Sequence, residues 1–281
     1  MRHSSQLNHL LKGSALISIS VLALILIFVL SKSLPFIQQI GFTNLWLDDG
    51  WFPTENKFNL IPMVLGSLYI MTGAVLLASP IGIILAIFLQ YYAPPKVAII
   101  YRSLIELLAG IPSVVYGFWG LIVLVPLISN WVPPGASVLA ACIVLALMIL
   151  PLVTLMTDSA LSQIPEKWVT AADALAINRW SKIWKIALPH AMPSIIAGTT
   201  LQAGRALGET MAVLMVCGNI VQIPHSIFEP ARTLTANIAL EMAYATDHHV
   251  SALYVSGLVL LIITILLTIF MIYANKKNFV V

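Results

Sequence analysis

A bundle of six membrane-spanning α-helices is the architecture this 281-residue sequence predicts, and three observations predict it. Apolar residues make up 60% of the chain and Asp, Glu, Lys and Arg only 9%, far below the roughly 25% charge of a soluble domain. Six apolar runs exceed the length of about 20 residues that a helix needs to cross a bilayer. The loops between them hold roughly thirty residues or fewer, too few for an independent soluble domain. An all-α integral membrane protein follows, because only helices or closed barrels satisfy their backbone in lipid. Nothing in the composition points to nucleic acid.

The runs extend from Ser14 to Leu34, Met63 to Tyr91, Ala98 to Ile128, Ala136 to Asp158, Ala191 to Asn219 and Val250 to Ala274. The first begins after Lys12, is longer than a signal-peptide core and has no clear small-residue cleavage site behind it, so it is expected to remain as a span. Residues 1–62 then form an N-terminal tail, the first helix and a loop, and 63–275 form the core. One side of the bundle carries Arg2, Lys12, Lys96, Arg102, Lys167, Arg179, Lys182, Lys185, Lys276 and Lys277; the other carries Lys32, Lys57 and Arg232. Lys and Arg accumulate on the cytoplasmic side, which puts both termini inside.

The loop from Ser33 to Ile61 is therefore expected outside, and its Phe36, Phe42, Trp46, Trp51 and Phe52 read as an interfacial belt, with a docking surface for an external partner as the alternative. In the third run, Pro112 lacks a backbone donor, so a break is expected between Glu106 and Gly117. Glu106 and Asp158 stand near span ends and read as interfacial charges. Cys142 and Cys217 lie inside apolar runs with no metal or CxxC spacing, so neither a disulfide nor a metal site is expected.

The fifth run holds the residues with the strongest claim to function. Arg205 and Glu209 sit where hydration is lost, at a cost of roughly 2.5–3.5 kcal/mol for an Arg at mid-helix. On a continuous helix the i, i+4 spacing would let each be the other's counter-ion. Gln202 and Asn219 would fall on the same side as a polar stripe, and Gly204, Gly208 and Ala212 would let a neighbouring helix approach. A pair that only fixes helix packing is one reading. A polar path for a solute is the other and the preferred one, with Arg205 suited to an anion.

Between the fourth and fifth runs, Ile164, Trp168, Ala171, Ala172 and Leu175 follow helical spacing after Pro165, and Asn178 is expected to end that helix in a left-handed turn. A second short helix gathers Trp180, Ile183, Trp184 and Ala187, leaving Arg179, Lys182 and Lys185 to water. Periodicity alone allows both a membrane-surface helix and a groove-docked one.

Within this loop, 159–189, the sequence Thr170-Ala171-Ala172, then Ala176, then Ile186-Ala187-Leu188-Pro189 resembles the EAA loop of ABC importer permeases. That family has Glu where Thr170 stands and Gly where Ala176 stands; the spacing to Leu188-Pro189 is intact. Ala109 to Gly117 and Gly204 to Val213 resemble the permease subunits of the phosphate-specific transport system. Leu207-Gly208-Glu209-Thr210-Met211-Ala212-Val213 followed by Gly218-Asn219 is similar to the PstC type rather than to its PstA sister. The resemblance covers roughly Phe58 to the C-terminus and implies a type I, MetI-like importer permease fold in a bacterial cytoplasmic (inner) membrane. It also implies partners: a second permease of PstA type, two ATPase subunits holding ATP and Mg, an external phosphate-binding protein, and membrane lipid. Thr170, Ala171, Ala172, Ala176, Ile186, Leu188 and Pro189 would then dock on the ATPase.

This division of labour agrees with the residues. No G-x-x-x-x-G-K-[ST] loop is present, so the chain has no evident cradle for ATP and is expected to be a non-catalytic subunit without a cofactor of its own. A phosphate crossing apolar walls needs a donor that stays charged, which Arg205 supplies, and Glu209 would moderate its attraction when the path is empty. Permeases for phosphonate, molybdate or sulfate are the nearest rivals, followed by an anion transporter with no ATPase and by a purely structural scaffold.

Overall fold

The computed structural model describes residues 2–41 and 43–278, with side chains at 11–41, 43 and 45–273. Phe42 and the side chains of Arg2, Lys276 and Lys277 lie outside the described residues. The chain forms two compact units, one of residues up to 60 with 240–259 and one of 61–239 with 260 onward.

In the first unit, α1 (Arg2–Ile40) continues past the predicted end at Leu34 and carries Pro35 within it. None of its most apolar 18-residue stretch is buried by this chain. After the short α2 (Asn44–Leu47), strands β1 (Trp51–Phe52) and β2 (Lys57–Phe58) pair antiparallel around a turn in which Asn56 is left-handed, with φ 55°. A two-residue ladder is too short to stand alone. It is held by Asp48 Oδ2, which accepts from the Phe58 N–H at 2.9 Å, and by aromatic packing. Phe36 and Trp51 meet Phe58 edge-on, with centroids 5.1 Å and 5.4 Å away. The expected interfacial belt is corrected here: Phe36 and Trp51 are buried in a small core, Trp46 is half-buried and Phe52 alone of the described set is exposed. Pairing with a hairpin gives these rings a better apolar neighbour than the headgroup region does.

The second unit holds the helices around which the candidate site is built. They are α3 (Ile61–Tyr91), α4 (Pro95–Ala109), α5 (Ser113–Trp119) and, after a π-helical turn at Gly120–Leu124, α6 (Val125–Ser129). Then come α7 (Val138–Ser162), α8 (Glu166–Ala174), α9 (Arg179–Lys182), a second π turn at Ile183–Ala187, α10 (Leu188–Gly208) and α11 (Met211–Val216). Last, α12 (Leu234–Glu241) and α13 (Asp247–Asn278) have residues in both units. Helix α7 is the axis. Ser137 caps it, its hydroxyl accepting from the Ala140 N–H at 3.3 Å, and its sides are buried by α3, α10 and α4. A helix apolar all round is one that must be surrounded.

Of the six expected spans, the described residues give four helices each long and apolar enough to cross a membrane, α1, α3, α7 and α13, and a fifth if α4 and the stretch 113–129, bent at a short break, cross as one. The bend is 88° and falls at Gly110–Pro112, where Pro112 predicts a break. The Tyr116 hydroxyl donates to the Leu108 carbonyl at 2.9 Å, tying α5 back across the bend to the end of α4, where that carbonyl also accepts from the Ile111 N–H at 3.2 Å. The run from Ala191 to Asn219 is corrected: it starts earlier, at Leu188, and is not one continuous helix. The helix stops at Gly208 and a new one starts at Met211.

Candidate functional site

Glu209 is where the continuous helix fails. Its backbone is extended, with φ −69° and ψ 130°. The Thr235 hydroxyl donates to its carbonyl at 2.9 Å, and its own Oε1 accepts from the Ala212 N–H at 3.3 Å, capping α11. A carboxylate at the start of a helix meets free N–H groups there. The expected Arg205–Glu209 pair is therefore absent: the two are not on one helix, and no ion pair joins them among the described residues. Asn219 is displaced for the same reason. It lies beyond α11 in a left-handed conformation, φ 56°, rather than on the Gln202 side of α10. Its Nδ2 donates to the Leu214 carbonyl at 2.7 Å, and its own carbonyl accepts from Arg232 Nε at 2.9 Å.

Arg205 and Gln202 do come together. Both line a cleft of about 490 Å³ with Thr200, Thr264, Thr268 and Met271. Arg205 is exposed within this chain. Gln202 is buried, its Nε2 directed to Met156 Sδ at 3.6 Å and its Oε1 without a partner. The three threonine hydroxyls donate to carbonyls of their own helices. An apolar-walled cleft that presents a guanidinium with several N–H donors is suited to an oxyanion.

The expected close approach along Gly204, Gly208 and Ala212 is filled only in part. Among the described residues, and apart from its own helix and chain neighbours, nothing lies within 4 Å of a Cβ built on Gly204 or Gly208. Ala212 is packed, with Gly117 of α5 against it; a Cβ on Gly117 would lie 2.7 Å from Ala212 Cα, so the glycine is what allows α5 and α11 to touch.

In the loop at 159–189, α8 forms as its spacing predicts, whereas the expected second short helix is not separate: α9 runs through the π turn at Ile183–Ala187 straight into α10. Ala176 N–H donates to the Asp173 carbonyl at 2.9 Å and Ile177 N–H to the Ala172 carbonyl at 3.0 Å, the pair of bonds that closes a Schellman ending. The left-handed residue is Ala176, φ 53°, and not Asn178. Asn178 instead caps α9, its Oδ1 accepting from Ser181 N–H at 2.7 Å. An alanine in this conformation costs roughly 1–2 kcal/mol, part of which a glycine returns to the flexibility of the unfolded chain. Ala176→Gly is expected to stabilise the chain by about 0.5–1 kcal/mol, read as a higher unfolding midpoint in detergent; a lower midpoint would contradict the assigned backbone.

Thr170, Ala171, Ala176 and Pro189 are exposed, Ile186 is half-buried, and Ala172 and Leu188 point into this chain. Ile183 and Ala187 are buried, while Trp180 and Trp184 stand exposed with centroids 5.3 Å apart. Two cations expected in water are engaged. Lys182 pairs with Asp173, and the Arg179 guanidinium lies 5.5 Å from the Tyr92 ring centroid. An aromatic face attracts a cation at this range.

One group the sequence reading missed stands near the C-terminal end of α7. Arg102 forks onto Asp158, Nε to Oδ2 at 2.8 Å and Nη2 to Oδ1 at 3.0 Å, and the same Nη2 reaches Gln90 Oε1 at 3.0 Å. The expectation of a merely interfacial Asp158 is corrected accordingly. Fifty-six residues separate the partners, so no helical period reveals them.

A model of the binding-protein-dependent transport system inner membrane component matches residues 78–278. The chain belongs to this family. It is 39% identical to the probable ABC transporter permease protein YqgH of Bacillus subtilis, over 81% of this chain and 76% of that one. It is 35% identical to the phosphate transport system permease protein PstC of Xylella fastidiosa, over 80% and 76%. With the probable PstC protein of Methanocaldococcus jannaschii it shares 33%, over 90% and 88%. Among solved structures, an inward-facing form of the MetNI methionine ABC transporter superposes with a TM-score of 0.64 at 18% identity, over 78% of this chain and 95% of that one. A bacterial alginate ABC transporter with its periplasmic protein superposes with a TM-score of 0.61 at 16% identity, over 95% and 96%. The importer permease described here thus has the type I fold and is a multi-pass membrane component.

Proposed function

We propose that this chain forms half of the translocation path for inorganic phosphate in an ATP-driven, binding-protein-dependent importer. The observation that carries the reading is Arg205, a permanent cation in an apolar-walled cleft with no carboxylate of this chain paired to it among the described residues. The relatives named as phosphate transport permeases support the choice of anion. Gln202 supplies further polar lining, while Asn219, expected beside it, stands beyond α11 and outside the cleft. Glu209 keeps its place with a changed role, fixing the start of α11 beside the path. The partners in this reading are a PstA-type permease, two ATPase subunits that hold ATP and Mg, and an external phosphate-binding protein. This chain itself is non-catalytic and binds no cofactor. In this reading both termini and the loop at 159–189 are cytoplasmic, which the Lys and Arg bias of the sequence supports.

Reconstitution with the ATPase and the solute-binding protein tests the proposal. Phosphate-loaded binding protein is expected to stimulate hydrolysis and import. Equal stimulation with sulfate, molybdate or a phosphonate would assign the path to another oxyanion, and uptake without any ATPase would place the chain among secondary transporters.

A further inference from the structure

The Arg102, Asp158 and Gln90 cluster is outside the anion path, yet it stands where the loop at 159–189 joins the bundle. Asp158 is about one turn before the end of α7, and α8 follows after a short link. Its side chain is 12% exposed and that of Arg102 34%. A bidentate fork fixes direction as well as distance, which a single apolar contact does not. Gln90 adds the end of α3, and Tyr92 just beyond it lies against Arg179 of α9. The base of α7 and the ATPase-facing loop thus grip one corner.

From that corner α4 leads to the 88° bend at Gly110–Pro112. Tyr116 bonds back across the bend, and Gly117 seats α5 on Ala212 of α11. Ala212 is also the residue whose N–H Glu209 caps, at the break beside Arg205. Every step is a contact between packed groups. As a device for stability alone an ion pair here is a poor choice, since well-packed apolar residues of similar volume often serve as well or better. What the fork adds is a directional link.

We propose that the Arg102–Asp158 pair, braced by Gln90, is the link by which displacement of the loop at 159–189 reaches α4 and, past its bend, the surroundings of Arg205. Both are positioning residues, since neither lines the anion cleft. The inference rests on the importer reading given above.

The test uses the whole complex in proteoliposomes, with inorganic phosphate, the binding protein and ATP, and reads phosphate imported per ATP hydrolysed in preparations of verified assembly. Arg102→Lys keeps the charge and loses the fork. Arg102→Gln with Asp158→Asn removes both charges together and so leaves neither one stranded. If the pair is only a packing contact, both variants transport at the wild-type ratio once assembled. As a link, they keep ATP hydrolysis stimulated by the binding protein while the ratio falls by about fivefold or more, the size of a typical coupling between sites. A wild-type ratio in either assembled variant overturns the inference. A wild-type complex that carries a different oxyanion overturns the phosphate reading alone, and the ratio is then taken for that anion. Transport that proceeds without hydrolysis overturns both.

Discussion

Arg205→Gln is expected to leave the assembled complex intact and to lower phosphate uptake about 10- to 100-fold, the loss of a charge-assisted contact of about 1.5–3 kcal/mol. The two halves of this result separate two roles for the residue. Were Arg205 one member of a buried ion pair, its removal would strand a carboxylate and cost about 3–5 kcal/mol of stability. Among the described residues Arg205 has no such partner: Glu209 has turned away to cap α11, and Arg205 is exposed within its own chain. Stability is therefore expected to be unchanged within about 0.5 kcal/mol. Arg205→Lys should fall between, keeping the charge without the planar fork. Glu209→Gln preserves an oxygen acceptor for the Ala212 N–H and is expected to assemble, so its uptake isolates the effect of the negative charge. Near wild-type uptake by assembled Arg205→Gln would reject the anion-guiding role.

Leu175→Arg is expected to separate the permease from its ATPase while leaving the permease folded. Leu175 is 74% exposed at the end of α8, beside the left-handed Ala176 and on the same loop as the exposed Trp180 and Trp184. Large apolar side chains grouped on a polar loop mark a contact surface. An unpaired charge driven into a dry contact costs at least about 2 kcal/mol, roughly 30-fold in affinity. Ala172 is the tempting alternative from the sequence, but it is only 3% exposed and packs inward, so Ala172→Arg would report on folding. The measurement is co-purification of the ATPase together with phosphate uptake. If both survive Leu175→Arg, this face is not the docking face.

Legibility in the sequence follows the range of the interaction. The apolar runs that become α3 and α7, the break at Pro112 and the helix α8 are local matters of composition, proline chemistry and period, and each appears where expected. The break after Gly208 is not local. It depends on the Thr235 hydroxyl taking the Glu209 carbonyl, from a residue 26 positions away. Gly208 is the sole local signal, and a glycine in an apolar helix reads equally as a packing residue. Because the pairing of Arg205 with Glu209 and the alignment of Gln202 with Asn219 both assume an unbroken helix, one missed contact displaces both expectations. Arg102 and Asp158 fail for the same reason, each appearing from its own surroundings as a charge at the end of an apolar run. The left-handed turn after α8 was anticipated, but its position was not, since asparagine is the likelier host on conformational grounds and alanine carries it here.

The length of α1 has a mechanical meaning. Its apolar window, Leu11–Ile40, holds 30 residues, which as a helix extend about 45 Å against a hydrocarbon core of about 30 Å. Even a tilt of about 40°, the upper end of what spans adopt, leaves it longer than the slab. The excess is accommodated where Ser33 and Phe36 are buried and Phe36 meets Phe58. Set across a bilayer, the helix has length enough to act as a post that holds the aromatic hairpin clear of the lipid tails. Bilayer thickness then becomes a force on that hairpin: a thicker membrane draws its rings toward the headgroups, and a thinner one leaves more of the post standing in water.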